Sequence, residues 1–365
     1  MKLFDLLMFI SGLTGLLVGG DALVRGASGL ARSMGISPLV VGLTAVAFGT
    51  SAPELAVSMA SALAGAAPIA LGNVVGSNVF NILLVLGGAG LVTPLLTDSQ
   101  LVRFDIPILV TASFALAAMS LNGVISHMEA ALLFGALLFY LVWTVRAAFA
   151  AKEHGEAPDD EGEDTGIERL LTAIALVTLA WPMTAGEVAW TWGGAFVLAG
   201  LLNSLASTLA ARGPAPKWMA AALVLGLVLV ASSAHVLVIG AVGLARSMGV
   251  SDTVIGLTVV AAGTSAPEAI ATFMAARRNE TELAIGNVVG SNIFNVLCIV
   301  GLTGLVAELP VPPELMRFDY PFMAGATLGL WPLLWWRKKI DKPDALIMLA
   351  LFAVFMGVQV WRATG

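Results

Sequence analysis

Apolar stretches of about twenty residues, separated by short polar breaks, run along most of the chain. They lie at about 4–25, 37–64, 69–95, 104–121 and 126–149, and again at about 217–244, 251–276, 281–306, 317–336 and 344–361. A helix needs roughly twenty such residues to cross about 30 Å of hydrocarbon, so each stretch predicts one span. Between the two sets of five lie a hydrophilic loop, about 151–167, and two more apolar runs at about 168–186 and 189–210. The pattern predicts an all-α polytopic membrane protein with about twelve spans.

The two sets carry the same text. Ala-Phe-Gly-Thr-Ser-Ala-Pro-Glu followed by Gly-Asn-Val-Val-Gly-Ser-Asn-Val-Phe-Asn, within 47–81, returns almost unchanged within 261–295. The offset is constant, since 268 − 54, 295 − 81 and 317 − 103 all give 214. Such a duplication fixes the architecture before any motif is interpreted. An odd number of spans per copy sets the second copy upside down in the membrane, the inverted-topology arrangement of many secondary transporters. The intervening hairpin adds two crossings and preserves that inversion. The expected organisation is therefore a first five-span repeat in 1–150, an acidic loop and extra hairpin in 151–216, and a second, inverted repeat in 217–365.

Charge tests this topology independently. With the amino terminus outside, fourteen of the eighteen Lys and Arg residues face the cytoplasm, leaving only Lys2, Arg246, Arg317 and Arg362 outside. That bias follows the positive-inside rule and predicts that both termini face out, in a cell (inner) membrane. The start, Met-Lys-Leu-Phe-Asp, lacks a basic n-region and a cleavage site and reads as a retained first helix.

Composition agrees with the pattern. Hydrophobic residues make up 58% and charged residues 12%, at a mean hydropathy of +0.93, whereas a soluble domain carries about 25% charged residues. The net charge of −6 says little about partners, because much of it sits in one acidic segment, Lys152 to Asp164. Those acids lack the spacing of an EF-hand and read as a solvated linker. The single Cys298 excludes an internal disulfide.

Candidate chemistry lies in the repeated text. Pro53 cannot donate to the carbonyl of Gly49 and crowds that turn, so a helix is interrupted there and frees backbone oxygens. Glu54 follows Thr50 by four residues and shares its face. In the next helix Asn73, Ser77 and Asn81 recur every four residues, a polar stripe that can only face inward. Thr264, Ser265, Glu268, Asn287, Ser291 and Asn295 repeat the set. Two carboxylates with carbonyl, hydroxyl and amide oxygens suit Ca²⁺, which takes about 6–8 oxygen ligands, and the same oxygens can hold Na⁺. An intramembrane acid is costly and usually functional. Gly72-xxx-Gly76 and Gly286-xxx-Gly290 also allow close helix packing. His127, His154 and His235 have no metal-ligand spacing.

Present twice, these motifs resemble the two alpha repeats of the cation/calcium exchanger superfamily, and within it the prokaryotic sodium/calcium exchangers. The resemblance covers both five-span repeats and leaves the hairpin unmatched, since such members usually have ten spans. It implies Na⁺/Ca²⁺ antiport by alternating access. Glu54 and Glu268 would be the central Ca²⁺ ligands, with the carbonyls of Thr50 and Thr264. Flanking Na⁺ positions would use Ala47, Ser51 and Ser77 on one side and Ala261, Ser265 and Ser291 on the other, with Asn81 and Asn295 completing the middle. The partners are then the transported ions and membrane lipid, with no nucleic acid, no cofactor and no enzymatic activity. Ca²⁺/H⁺ antiport is the alternative, since two adjacent glutamates would share a proton in the empty site. An intramembrane hydrolase would need a base beside Ser51 or Ser265 that the motif lacks, and a channel would pass Ca²⁺ without a trans ion.

Overall fold

The computed structural model describes residues 2–153, 216–248 and 261–364. The expected hairpin at about 168–210, nearly all of the acidic loop, His154 and the first part of the run at about 251–276 fall outside them. The described residues are mostly helical. Seven helices among them are long and apolar enough to cross a membrane, or eight if the bent pair Pro38–Thr50 and Ala52–Leu63 is one span. Tyr320–Arg337, with Pro332 inside it, is shorter.

Glycine sets how the two longest helices meet. Lys2–Met34 and Pro216–Ser247 run antiparallel, because a Cβ at Gly226 would lie 2.5 Å from the amide of Leu23, and Gly12, Gly19 and Gly26 stand in turn against Leu237, Val230 and Leu223. These contacts come in pairs at the 214-residue offset: Gly12 meets Leu237 as Gly226 meets Leu23, and Gly26 meets Leu223 as Gly240 meets Phe9. Without a Cβ the backbones approach closely, and dispersion takes over where lipid offers no hydrophobic driving force.

The motif helices occupy the interior. Residues 283–300 of Thr281–Val306 are all buried, and most of Ala67–Val92 is too. Gly286 and Gly290 explain how: an added Cβ would meet the carbonyl of Leu39 at 2.8 Å and that of Leu43 at 2.7 Å. Gly72 and Gly76 have no such neighbour among the described residues, and most of the corresponding stretch, 253–261, lies outside them. Outward faces carry Leu132, Phe139 and Val142, or Leu346, Ile347 and Val354, all exposed as lipid-facing residues should be.

Beyond the breaks expected at the prolines, π-turns interrupt the helices at Gly42–Val46, Phe80–Val85, Leu101–Asp105, Asn295–Ile299 and Leu315–Asp319. Phe80–Val85 corresponds to Asn295–Ile299 and Leu101–Asp105 to Leu315–Asp319, while the positions matching Gly42–Val46 lie outside the described residues; such turns favour functional sites. Two short ladders tie the ends of the bundle, Leu95–Leu96 with Lys339–Ile340 and Val124–Ile125 with Leu309–Pro310. At one end Asp21 joins Arg25 and Arg278, and Arg32 joins Glu280 at 3.0 Å. At the other, Arg362 joins Asp319 at 3.1 Å.

Candidate ion site

The site begins at the break. Ser51 sits between the two segments with φ −82° and ψ 3°, Pro53 opens the next one, and the axis turns by 42°. Ser265 repeats it with φ −90° and ψ 9°. The proline has no N–H to extend the first segment, so a new helix starts with Glu54, or Glu268, in its first turn. Both carboxylates have no exposed surface.

Each serine serves the glutamate of the other half. The Ser51 hydroxyl donates to Glu268 Oε1 at 2.9 Å, and the Ser265 hydroxyl to Glu54 Oε1 at 3.1 Å. Ser265 Oγ also lies 3.2 Å from Ser77 Oγ. Thr50 Oγ1 stands 3.3 Å from Ser291 Oγ and 3.2 Å from Asn287 Oδ1, while Ser291 donates to the Ala47 carbonyl at 3.5 Å. The flanking hydroxyls are thus shared between the halves. Thr264 is half-buried, and the side chain of Ala261 is outside the described residues.

The motif helices hold the acids in place. Asn73 Nδ2 donates to the Glu54 carbonyl at 3.3 Å and to Ser58 Oγ at 3.1 Å, and Asn287 Nδ2 does the same to the Glu268 carbonyl at 3.3 Å and Thr272 Oγ1 at 2.9 Å. Asn81 and Asn295, at the two π-turns, donate to Asn292 Oδ1 at 3.1 Å and Asn78 Oδ1 at 2.9 Å. Sequence reasoning gave no role to Asn78 and Asn292, nor to Ser58 and Thr272. The usable signal was that each is a polar residue repeated at the same offset inside an apolar helix.

Four oxygens are left over. Glu54 Oε2, Glu268 Oε2, Asn81 Oδ1 and Asn295 Oδ1 are buried without a hydrogen-bond partner. Buried acceptors are ordinarily satisfied, and a group of orphans is the mark of a missing water or ion. No ion pair among the described residues involves either glutamate. No group of three or more His, Cys, Asp or Glu that could hold a metal ion occurs among them either. His127 is bound to the Gly304 carbonyl at 2.7 Å, and Ser51 and Ser265 donate to carboxylates instead of meeting a histidine or lysine.

Comparison with known proteins gives a consistent answer. Residues 4–146 and 218–361 match the family described as sodium/calcium exchanger protein. The candidate antiporter CaxA of Alkalimonas amylolytica is 33% identical over 93% of this chain and 94% of its own. The inner membrane protein YrbG of Escherichia coli is 29% identical over 97% and 96%. Among solved structures, the sodium-calcium exchanger NCX_Mj, soaked with Na⁺ and Sr²⁺, superposes with a TM-score of 0.73 at 26% identity, covering 98% of this chain and 99% of that one.

Proposed function

Since the chain belongs to the sodium/calcium exchanger protein family, we propose that it exports Ca²⁺ in exchange for Na⁺ by alternating access. Membership makes it an integral membrane cation/Ca²⁺ antiporter. The finer reading assigns the Ca²⁺ to a midplane site between Glu54 and Glu268, with Asn81, Asn295 and the carbonyls of Thr50 and Thr264 around it. Na⁺ ions then take the flanking oxygens of Ala47, Ser51, Ser77, Ala261, Ser265 and Ser291.

One observation carries this reading: four buried, unpartnered oxygens, two of them on carboxylates with no basic partner among the described residues. Two charges in low dielectric need a counter-charge. One Ca²⁺ supplies it, and several Na⁺ can replace it at the shared hydroxyls. The paired contacts at a fixed offset, carried by helices that run antiparallel, support two inverted repeats, 1–150 and 217–365, related by a pseudo-two-fold axis through the site. Contacts of Arg278 with Asp21, and of Arg32 with Glu280, bring to one end of the bundle residues of both repeats that the charge pattern assigns to the cytoplasmic side.

The test is Ca²⁺ uptake by Na⁺-loaded proteoliposomes, with a proton gradient as the comparison. Uptake driven by Na⁺ supports the assignment. Uptake driven by the proton gradient alone makes H⁺ the coupling ion, and uptake with no trans ion makes the protein a channel.

A further inference from the structure

Two asparagines outside the proposed ligand set decide which atom the ligand amides present. Asn78 Nδ2 lies 3.5 Å from the Asn292 carbonyl, and Asn292 Nδ2 lies 3.4 Å from the Asn78 carbonyl. A main-chain carbonyl only accepts, so the nitrogen of each amide must face it and the oxygen must face away. That oxygen can in turn only accept. Asn295 therefore offers its Nδ2 to Asn78 Oδ1 at 2.9 Å, and Asn81 offers its own to Asn292 Oδ1 at 3.1 Å. What remains of Asn81 and Asn295 is an oxygen, and both of those oxygens are buried and unpartnered.

We propose that Asn78 and Asn292 are positioning residues which lock the amides of Asn295 and Asn81 with oxygen towards the cation. Without the lock either amide can turn over. Its NH₂ group would then meet the ion with positive hydrogens, weakening binding without changing the charge of the site. All four side chains have no exposed surface, so water does not substitute for the lock. The pairing crosses the halves: Asn78 acts on Asn295, not on its near neighbour Asn81, and Asn292 acts on Asn81.

The proposal rests on Asn81 and Asn295 facing the transported ion, and a double-mutant cycle on the Ca²⁺ KM separates the two ideas. In Na⁺-loaded proteoliposomes, Asn295→Ala and Asn78→Ala should each raise the KM about tenfold, the usual size of an effect exerted through a metal ligand's partner. The double variant Asn78→Ala/Asn295→Ala should be no worse than either single one, because the lock has nothing left to hold. Asn78→Ala/Asn81→Ala should multiply the two effects. A residue that merely supports the fold would give the same interaction in both pairings. Multiplying effects in the first pair, or an unchanged KM in Asn78→Ala, overturns the lock. An unchanged KM in Asn295→Ala counts against the ion-site reading itself. Asn292→Ala with Asn81→Ala repeats the cycle from the other half, should Asn78→Ala fail to insert.

Discussion

A carboxylate with no exposed surface and one unpartnered oxygen is among the costliest groups a membrane helix can carry, and Glu54 and Glu268 each present one. Their neighbours supply hydrogen bonds but no charge, so in the proposed site each glutamate would contribute half of the −2 that a divalent cation meets. Glu54→Gln and Glu268→Gln should each reduce Ca²⁺ exchange by about a hundredfold or more, a loss of roughly 3 kcal/mol. Inserted, folded yield should stay normal, because the amide keeps the Oε1 acceptor that Ser265 or Ser51 uses. Radiolabelled Ca²⁺ uptake beside size-exclusion profiles reads both, and near-normal transport in either variant would sink the site assignment. Asn81 and Asn295 extend the argument to K⁺: as amides they add oxygen without charge, leaving no spare carboxylate to hold K⁺ beside Ca²⁺. Na⁺-driven Ca²⁺ flux should keep its rate when choline replaces all K⁺, whereas a rate that returns only with K⁺ would refute this. The glutamates were legible in the sequence because an acid in an apolar run needs a reason. Asn78 and Asn292 were not, because their role depends on a partner more than two hundred residues away.

Helix breaks and close packing act one level up. Pro53 and Pro267 announced the breaks, and the structure supplies the bend of 42° in the first. The π-turns were invisible, since a single extra residue in a turn leaves no periodic trace in an apolar run. Two of them begin at or just before Asn81 and Asn295, whose amides reach across to the other motif helix. Close packing makes its own prediction. A methyl at Gly290 would press on the carbonyl of Leu43 and the Cβ of Ala47, both 2.7 Å away, whereas at Gly357 nothing among the described residues lies within 4 Å. Gly290→Ala should destabilise the protein by about 1–3 kcal/mol. Gly357→Ala should be neutral or stabilising by up to about 1 kcal/mol, by helix propensity. Thermal unfolding in detergent compares the two directly, and equal melting temperatures would contradict the packing argument.

For the whole molecule, topology and the extra hairpin are the open quantities. With Cys298 replaced by Ser, a single cysteine in place of Arg103 should react with an impermeant maleimide only from the cytoplasmic side. One in place of Leu121, exposed at the far end of the same span, should react only from outside. The reverse pattern would invert the orientation. The hairpin at about 168–210 lies outside both family matches, which stop at 146 and resume at 218. Replacing it with a flexible linker should leave measurable exchange, and complete loss in a folded, inserted protein would assign it ligands or gating contacts.

Sequence alone determined that the chain is built of membrane-length apolar helices, the duplication and its offset, and the residue types gathered at the helix breaks. Each of these follows from local physics: twenty apolar residues span a bilayer, proline breaks a helix, and an acid in lipid demands a counter-ion. Tertiary structure alone decided that each serine hydroxyl serves the opposite glutamate, and that Ser77 stands beside Ser265 and Ser291 beside Ala47. It also decided which four oxygens of the candidate site remain without partners. Those facts arise where two distant stretches meet, and the direction of a hydrogen bond between them is set by packing that no local pattern records.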